Sequence, residues 1–378
     1  MSLFACEIAS CQSSRIANSV QAVQVDSSVF RKVDSLANLE MAKDNIGCMN
    51  IGIVLKGSLI WTNSYGFADS KRNNKANINL IFPMASITKQ FTSLMLMQLV
   101  EKGKVSLSDP VEKYFPEIKS LKTKFTGRSP ITFLQLATHT SGLDREPDDE
   151  QLLYVKGPVE EWEKKLIATI PLTEIIYEPG TRYFYSNIGY AILGAALSRV
   201  AGEPYIAYIQ NHILNPLGMK DTYFVLDKEK TYRRPVGYLI ENGKIDSLEP
   251  MQQEIEGRGW RVPSARLYST IPDLALFVNF ELGRDSSILS KKFFDANYKR
   301  LYSASSDLSY AYGIGLQVRR RGTVITYGHD GVLAGYYSSI WVDPITQIGI
   351  ITLTTKPEKY FGLRALEILV TEIKNLNN

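Results

Sequence analysis

Residues 86–103 read Ser-Ile-Thr-Lys-Gln-Phe-Thr-Ser-Leu-Met-Leu-Met-Gln-Leu-Val-Glu-Lys-Gly, a polar start followed by an apolar helical pattern. The apolar side chains that recur at helical spacing are Phe91, Leu94, Met95 and Leu99. Further apolar residues widen this stripe, and Gly103 is a natural C-terminal stop. The pattern predicts a largely buried helix with a serine at its N-terminal end.

Ser86 and Lys89 are separated by a spacing that places both side chains on one face of a helix. A serine hydroxyl is a weak nucleophile until a base removes its proton, and a buried lysine with a lowered pKa can be that base. Free N–H groups at a helix N-terminus also favour the oxyanion that forms after attack. By itself, however, the tetrapeptide is more often a helix cap followed by a surface lysine.

Tyr185-Ser186-Asn187 follows the turn signal Pro179-Gly180 and directly precedes an apolar helical run at 188–201. A tyrosine beside a lysine ammonium can ionise below its usual pKa of about 10 and shuttle protons. The amide of Asn187 offers a donor and an acceptor to a substrate amide or ester. The structural alternative is a packed tyrosine with Asn187 as the helix N-cap.

His329-Asp330-Gly331 comes at the end of a β-like run that covers 323–327. A glycine there lets a substrate approach the strand edge, and an exposed edge can pair with an extended, peptide-like molecule. The backbone N–H of Val332 can complete an oxyanion hole together with that of Ser86. Taken alone, Asp-Gly in this position is more typical of a hairpin turn.

Strand patterns at both ends of the chain enclose a mostly helical middle. The N-terminal part contains a helix at 28–43 and a hairpin whose turn is Lys56-Gly57-Ser58, and the chain ends in a helix at 358–375. The β-rich runs of the last hundred residues cover 312–318, 323–327, 336–342 and 348–354. This order predicts an α+β fold in which both chain ends build one antiparallel sheet, flanked by the terminal helices.

The predicted domain organisation is a disordered or processed tail at 1–20 and a single domain at 21–378. Within it, the sheet lobe covers 21–112 and 266–378, and the mostly helical lobe covers 113–265. A cleft between two such lobes is a usual place for a small-molecule site.

Composition excludes several other classes of protein. The 378 residues carry a formal net charge of +4, and the densest basic cluster, at 319–321, is interpreted as part of a hairpin rather than as a nucleic-acid patch. The histidines show no metal-ligand spacing, so we predict neither a metal nor a cofactor. The three cysteines exclude a dense disulfide framework. No apolar run reaches the ~20 residues that cross a bilayer.

The N-terminus allows two interpretations. Residues 1–20 lack the apolar and basic regions of a working signal peptide. Ile8-Ala9-Ser10-Cys11 is similar to the end of a bacterial lipoprotein signal, which would make Cys11 a lipid anchor. The alternative is a chance match in a disordered tail.

In this order along the chain, the three motifs resemble those of the serine β-lactamase and penicillin-binding protein superfamily. The similar branch is that of class C β-lactamases, esterases and D-aminopeptidases, which has S-x-x-K, Y-x-N and an H-x-G in place of K-T-G. The connecting phrases at 136–143, 178–202 and 215–219 match as well, and the resemblance spans about 28–375. It implies a β-lactamase/transpeptidase-like fold, and a location in the bacterial periplasm or cell envelope.

The resemblance also implies a serine hydrolase that acts on a small-molecule or peptide-like acyl substrate through an acyl-enzyme on Ser86. The implied proton-transfer pair is Lys89 and Tyr185. The residues implied for substrate and oxyanion binding are Asn187, His329, Gly331 and Val332. Two further histidines, His139 and His212, are interpreted as structural.

One residue departs from the family pattern, since Asp330 stands where many relatives carry Thr or Ser, and the lysine of K-T-G is absent. Penicillins and D-Ala-D-Ala peptides present a carboxylate, for which a neutral histidine and an aspartate form a poor binding site. The candidates to replace the missing cation are Arg258, Arg261 and Arg266. We therefore expect slow or absent penicillin turnover. The alternative function is a catalytically silent or slowly acylated penicillin-binding sensor or scaffold.

Overall fold

The computed structural model describes residues 27–148, 157–242, 244–249, 259–356 and 360–376. The predicted tail at 1–20 with Cys11, and also Arg258, lie outside the described residues. The strands are β1 Cys48–Leu55, β2 Ser58–Gly66, β3 Phe82–Pro83, β4 Lys122–Thr123, β5 Glu174–Ile175, β6 Gly237–Glu241, β7 Lys244–Leu248, β8 Tyr268–Ser269, β9 Leu301–Ala304, β10 Tyr310–Gly313, β11 Gln317–Arg321, β12 Val324–Leu333, β13 Tyr336–Asp343 and β14 Ile348–Thr354. The α-helices are Ser27–Ala42, Thr88–Glu101, Phe133–Ala137, Trp162–Thr169, Asn187–Ala201, Tyr205–Ile209, Asn215–Leu217, Lys228–Tyr232, Val262–Ala265, Ile271–Glu281, Lys291–Phe293 and Phe361–Leu376.

Eight of the described strands form one antiparallel sheet in the order β2-β1-β14-β13-β12-β11-β10-β9. The two ends of the chain meet at its centre, where Ile51 of β1 lies opposite Thr352 of β14. The predicted hairpin between β1 and β2 and the predicted Arg-rich hairpin between β11 and β12 are both present. The α+β prediction, with one antiparallel sheet built from both ends of the chain, is confirmed.

The terminal helices cover one face of this sheet. Apolar residues of Ser27–Ala42 and Phe361–Leu376 form a single buried cluster with side chains of β1, β13 and β14. The helix Ile271–Glu281 packs on the opposite face of the same strands, within the larger core that also contains the helix Thr88–Glu101. Burial of apolar side chains on both faces fixes the sheet between its helical layers, at roughly 25 cal/mol for each Å² of apolar surface removed from water.

The structure differs from the predicted strand pattern at two places near the site. The run 312–318 is not one strand, because a tight turn separates β10 from β11. The run 323–327 continues without a break to Leu333, so His329-Asp330-Gly331 lies inside a strand and not in a hairpin turn. The strand β12 that contains this motif is joined to β13 by the turn at 334–335 instead.

The middle of the chain, which was predicted to be mostly helical, also contains strands. It contains the antiparallel hairpin β6–β7, in which Ile240 lies opposite Ile245. The dipeptide Asn242-Gly243 is a typical hairpin signal, and Asn242 has a φ of +51°. Among the described residues, no helix combines the length and the apolarity needed to cross a bilayer.

Candidate active site

Ser86 lies on a tight 3-10 turn, Ala85–Ile87, directly before the helix Thr88–Glu101. Ala85 has a φ of +43°, which is unusual for a residue with a side chain and costs on the order of 1–3 kcal/mol. Ala85 and Ile87 are buried, whereas Ser86 is only partly covered. The turn therefore presents the hydroxyl of Ser86 while its neighbours hold the backbone in the core.

Lys89 is completely buried, and all three of its N–H donors have an acceptor within hydrogen-bond distance. Its Nζ lies 3.1 Å from Ser86 Oγ, 2.7 Å from Asn187 Oδ1 and 2.9 Å from the carbonyl oxygen of Ser264. Lys89 is thus not the surface lysine of the structural alternative. The structure places its amine against the hydroxyl of Ser86.

The surroundings of Lys89 hold its pKa well below the usual value for lysine. Burial is the largest cause, because it disfavours the ammonium. The carboxylate of Glu146 opposes this effect, while the cations Arg261 and Arg145 add to it. Compared with an exposed lysine, a larger fraction of Lys89 therefore has a neutral amine, which is the form that can accept a proton.

Tyr185 reaches the same serine, because its side chain forms a hydrogen bond with Ser86 and its ring lies 4.9 Å from Lys89 Nζ. Burial raises the pKa of Tyr185, and the hydrogen bond with Ser86 and the charge of Arg145 only partly oppose this. The expectation that Tyr185 ionises below its usual pKa is therefore wrong, because desolvation outweighs its polar neighbours. The resting side chain is a neutral phenol that can donate and accept hydrogen bonds.

The ring of His139 packs against the ring of Tyr185, with their centroids 4.1 Å apart. The backbone N–H of Ser186 donates to His139 Nδ1 at 3.1 Å, so the proton of the neutral ring is on Nε2. Burial lowers the pKa of His139 well below its usual value. His139 therefore holds the backbone after Tyr185 in place. His212 lies elsewhere and contacts Glu203.

Asn187 is not the N-cap of the helix that follows it. The side chain of Ser186 caps the helix by accepting a hydrogen bond from Gly189 N at 3.0 Å. The Asn187 side chain is thereby left to the site, where its carbonyl oxygen faces Lys89 and its Nδ2 donates to Glu146 Oε1 at 2.6 Å. Glu146 in turn contacts Arg261.

One side of the site is an open strand edge. β11 pairs with β12 only as far as Gly328, so in the described part of the chain the segment His329–Leu333 is paired with β13 alone. Gly331 packs against the start of the turn Ala85–Ile87 so closely that an added Cβ would lie 2.1 Å from the carbonyl oxygen of Met84. The free edge of β12 therefore runs beside Ser86. Val332, with a half-exposed side chain, is the next residue on it.

His329 lies beneath this edge and is completely buried. Its Nδ1 lies 2.6 Å from the Asp330 carbonyl oxygen, which can only accept, so this nitrogen carries the proton. Nε2 then accepts from the Tyr312 hydroxyl at 3.2 Å. Burial lowers the pKa of His329 to about 3, so both ring nitrogens of a neutral imidazole already have partners.

Asp330 points to the opposite face of the sheet, because successive side chains of a strand alternate. Its carboxylate accepts from Trp341 Nε1 at 3.0 Å, and Trp341 belongs to the core beneath the terminal helices. The expectation that Asp330 weakens carboxylate binding in the cleft is therefore wrong. The chain still lacks the lysine of the K-T-G motif at this edge.

Of the two described candidate cations, only Arg261 lies at the site. It contacts Glu146, whereas Arg266 is buried and donates to the Phe224 carbonyl oxygen at 3.1 Å. No sequence signal pointed to Glu146, nor to Ser264, whose carbonyl oxygen reaches Lys89. The described residues contain no group of three or more His, Cys, Asp or Glu side chains placed to hold a metal ion.

Residues 33–373 match the sequence profile of the Beta-lactamase family. Beta-lactamase-like protein 2 of Dictyostelium discoideum is 29% identical over 360 residues, which cover 92% of this chain and 63% of that protein. Protein flp of Staphylococcus aureus (strain MW2) is 27% identical over 347 residues, covering 91% of this chain and 66% of its own length. The chain thus spans just under two thirds of the length of these relatives.

The fold also matches solved structures. An octameric penicillin-binding protein homologue from Pyrococcus abyssi superposes with a TM-score of 0.77 and 28% identity, covering 90% of this chain and 77% of that one. A class C beta-lactamase has a TM-score of 0.75 and 20% identity, with coverages of 92% and 98%. The D-amino acid amidase from Ochrobactrum anthropi SV3 has a TM-score of 0.75 and 21% identity, with coverages of 93% and 100%. The profile match over most of the chain shows that this protein belongs to the beta-lactamase family.

Proposed function

We propose that the protein is a serine hydrolase that cleaves an amide or ester bond through an acyl-enzyme on Ser86. The observation that carries the proposal is the convergence of two proton carriers on one hydroxyl. Lys89 Nζ lies 3.1 Å from Ser86 Oγ, and the side chain of Tyr185 is hydrogen-bonded to the same group. An activated nucleophile needs such a base within hydrogen-bond reach.

In the proposed reaction, neutral Lys89 takes the proton of Ser86 as Oγ attacks the substrate carbonyl carbon. The oxyanion is stabilised by the backbone N–H groups of Ser86 and Val332. When the intermediate collapses, the bond to the leaving group breaks, and the Tyr185 hydroxyl donates its proton to that group while taking one from the Lys89 ammonium. Water then attacks the ester on Ser86 and gives one proton to neutral Lys89. When the bond between the acyl carbon and Ser86 Oγ breaks, Oγ takes this proton and the acid is released.

The proposed substrates are extended acyl compounds that pair with the free edge of β12. The similar proteins include a beta-lactamase and a D-amino acid amidase, whose names both describe cleavage of an amide. Because the cleft lacks the K-T-G lysine, and His329 is neutral with both nitrogens occupied, slow or absent penicillin turnover remains our prediction.

The second candidate is a sensor or scaffold that is acylated slowly or not at all. The observation that favours it is that Lys89 already bonds three acceptors in the resting site, so a proton transfer must break one of these bonds. The candidates differ in their response to a reactive substrate: a hydrolase turns it over, a sensor keeps the acyl group, and a scaffold shows no adduct.

Intact-mass spectrometry after incubation with a fluorophosphonate, with a penicillin or with a p-nitrophenyl ester tests the proposal. We expect one fluorophosphonate adduct, located on Ser86 by peptide mapping, and steady release of p-nitrophenol from the ester. Ser86→Ala should abolish both signals, while Ser108→Ala, at an exposed position, should change neither. A stable ester-derived adduct would favour the sensor, and an unlabelled protein with every probe would favour the scaffold.

A further inference from the structure

The side-chain amide of Asn187 has a charged partner at each end. Its carbonyl oxygen lies 2.7 Å from Lys89 Nζ, and its Nδ2 lies 2.6 Å from Glu146 Oε1. Glu146 is largely buried and contacts the guanidinium of Arg261, which is covered to a similar extent. Arg261 contacts the same carboxylate oxygen, Oε1, that accepts from Asn187, so this oxygen is held between the two side chains.

These two partners allow one orientation of the amide. A rotation of 180° would turn the NH2 group of Asn187 toward the ammonium of Lys89 and its carbonyl oxygen toward the carboxylate of Glu146. Two donors would then face each other at one end and two acceptors at the other. While Lys89 is charged, both ends therefore hold the amide in place.

The situation changes when Lys89 is neutral, as it is when it accepts a proton. A neutral amine has a lone pair as well as N–H groups, so it can bond either end of the Asn187 amide. Glu146 then remains as the one partner that still distinguishes the two ends. The second N–H of the NH2 group, which Glu146 does not take, is left to bind a substrate.

We propose that Glu146, held by Arg261, is a positioning residue that keeps the NH2 group of Asn187 toward the acyl part of the substrate, and so selects acyl groups that carry a carbonyl acceptor there. The inference rests on the proposed serine hydrolase function. It names the substrate class more closely, as N-acylated amino-acid derivatives in preference to plain fatty acyl esters.

Two p-nitrophenyl esters test this selection. The ester of N-acetylglycine and the ester of pentanoic acid have acyl chains of the same length, but only the first has a carbonyl group within the chain. After division by the uncatalysed hydrolysis rates of the two esters, which corrects for the electron withdrawal by the acylamino group, we expect the wild type to be acylated about tenfold faster by the first, the value of one additional hydrogen bond of about 1.4 kcal/mol. The first-turnover burst of p-nitrophenol measures this rate without depending on deacylation.

Glu146→Leu has a side chain of similar size but offers no acceptor to Asn187, whereas the amide oxygen of a glutamine would still be held between Arg261 and Asn187. We expect this variant to lose most of the preference between the two esters. Glu163→Leu is the matched control, because Glu163 forms a comparable ion pair with Arg199 at the surface. The control should keep the preference of the wild type.

The pH profile of acylation supplies a readout that a purely structural role would not move. The groups around Lys89 are Glu146, Arg145, Arg261, Tyr185, Tyr190, His139 and His329. Glu146 raises the pKa of Lys89 and Arg261 lowers it. The acidic limb should therefore shift to lower pH in Glu146→Gln and to higher pH in Arg261→Gln.

An unchanged ester preference in a folded Glu146→Leu variant would overturn the inference, and so would acidic limbs that shift in the same direction in Glu146→Gln and Arg261→Gln. A different result would contradict the proposed function itself. If the wild type shows no burst and no fluorophosphonate adduct on Ser86, the hydrolase proposal is wrong, and the inference is wrong with it.

Discussion

Burial favours the neutral form at three titratable side chains around Ser86, although these groups differ in chemistry. It lowers the pKa of Lys89 and of His329 and raises that of Tyr185. Removing a group from water disfavours its charged form, whichever sign that charge has. The resting site therefore contains a phenol and an imidazole without charge, and a lysine that loses its proton easily.

At the level of single residues, we predict that Tyr312→Phe destabilises the protein by about 1–3 kcal/mol. The substitution removes the donor to His329 Nε2, which would then be a buried acceptor without a partner. Equilibrium unfolding in urea measures the change. Tyr327→Phe is the control, since this half-buried tyrosine has no hydrogen bond from its hydroxyl within the described residues. Equal losses in both variants would contradict the prediction.

Two backbone features bring residues to the site: the cap at the start of one helix and the unpaired end of one strand. The helix Asn187–Ala201 begins with Ser186 as its cap, which leaves the Asn187 side chain to Lys89. β12 is longer than its partner β11, so one edge of its last five residues has no pairing strand among the residues that the structure describes. In both cases a backbone feature of an ordinary helix or strand decides which side chain or edge faces the cleft.

At the level of elements, we predict that Gly331→Ala separates β12 from the turn Ala85–Ile87 that contains Ser86. The new Cβ would lie 2.1 Å from the Met84 carbonyl oxygen, a backbone atom that has little freedom to move. We expect a loss of about 1–3 kcal/mol in stability from overpacking, and slower labelling of Ser86 by a fluorophosphonate. Urea unfolding and the labelling rate measure the two effects.

Gly322→Ala is the control for this variant, because its added Cβ would meet no atom within 4 Å. Its φ of +57° still makes the backbone unfavourable for alanine, so some stability is lost. The labelling rate of Ser86 should stay at the wild-type value. Normal labelling in Gly331→Ala would show that the close packing is not needed.

In the whole molecule, a buried acid connects the helix Thr88–Glu101, which follows Ser86, to distant segments of the chain. Glu281, at the end of the helix Ile271–Glu281, accepts from the Tyr298 hydroxyl at 2.7 Å and faces Gln90 of the helix Thr88–Glu101. Burial raises the pKa of Glu281 from 4.5 to about 6. The folded state therefore holds this proton at a pH at which the unfolded chain has released it.

We predict from this that Glu281 makes stability depend on pH. Its favourable contribution is fully present below pH 4.5 and is lost as the pH rises through about 6. Glu281→Gln should consequently gain about 2 kcal/mol relative to the wild type between pH 4 and pH 7.5. Urea unfolding at both pH values measures the gain. An exposed substitution, Glu229→Gln, should show no comparable change.

Local sequence patterns were sufficient to establish the periodic features of this protein. Apolar spacing of 3.6 predicted the helix that follows Ser86, and alternating runs predicted the strands from both ends of the sheet. The order of the three motifs indicated the family. These predictions succeed because the residue pattern of a segment contains most of the information that decides between helix and strand. The pattern nevertheless predicted the end of β12 too early, at 327 instead of Leu333.

Packing in three dimensions was needed to establish which of these residues share a cleft and in which protonation state. It placed Asp330 on the far face of the sheet, kept Tyr185 a neutral phenol and brought Glu146 to Asn187. The cause is that desolvation and charge at one atom depend on segments that are far apart in the chain. No spacing within a motif contains that information.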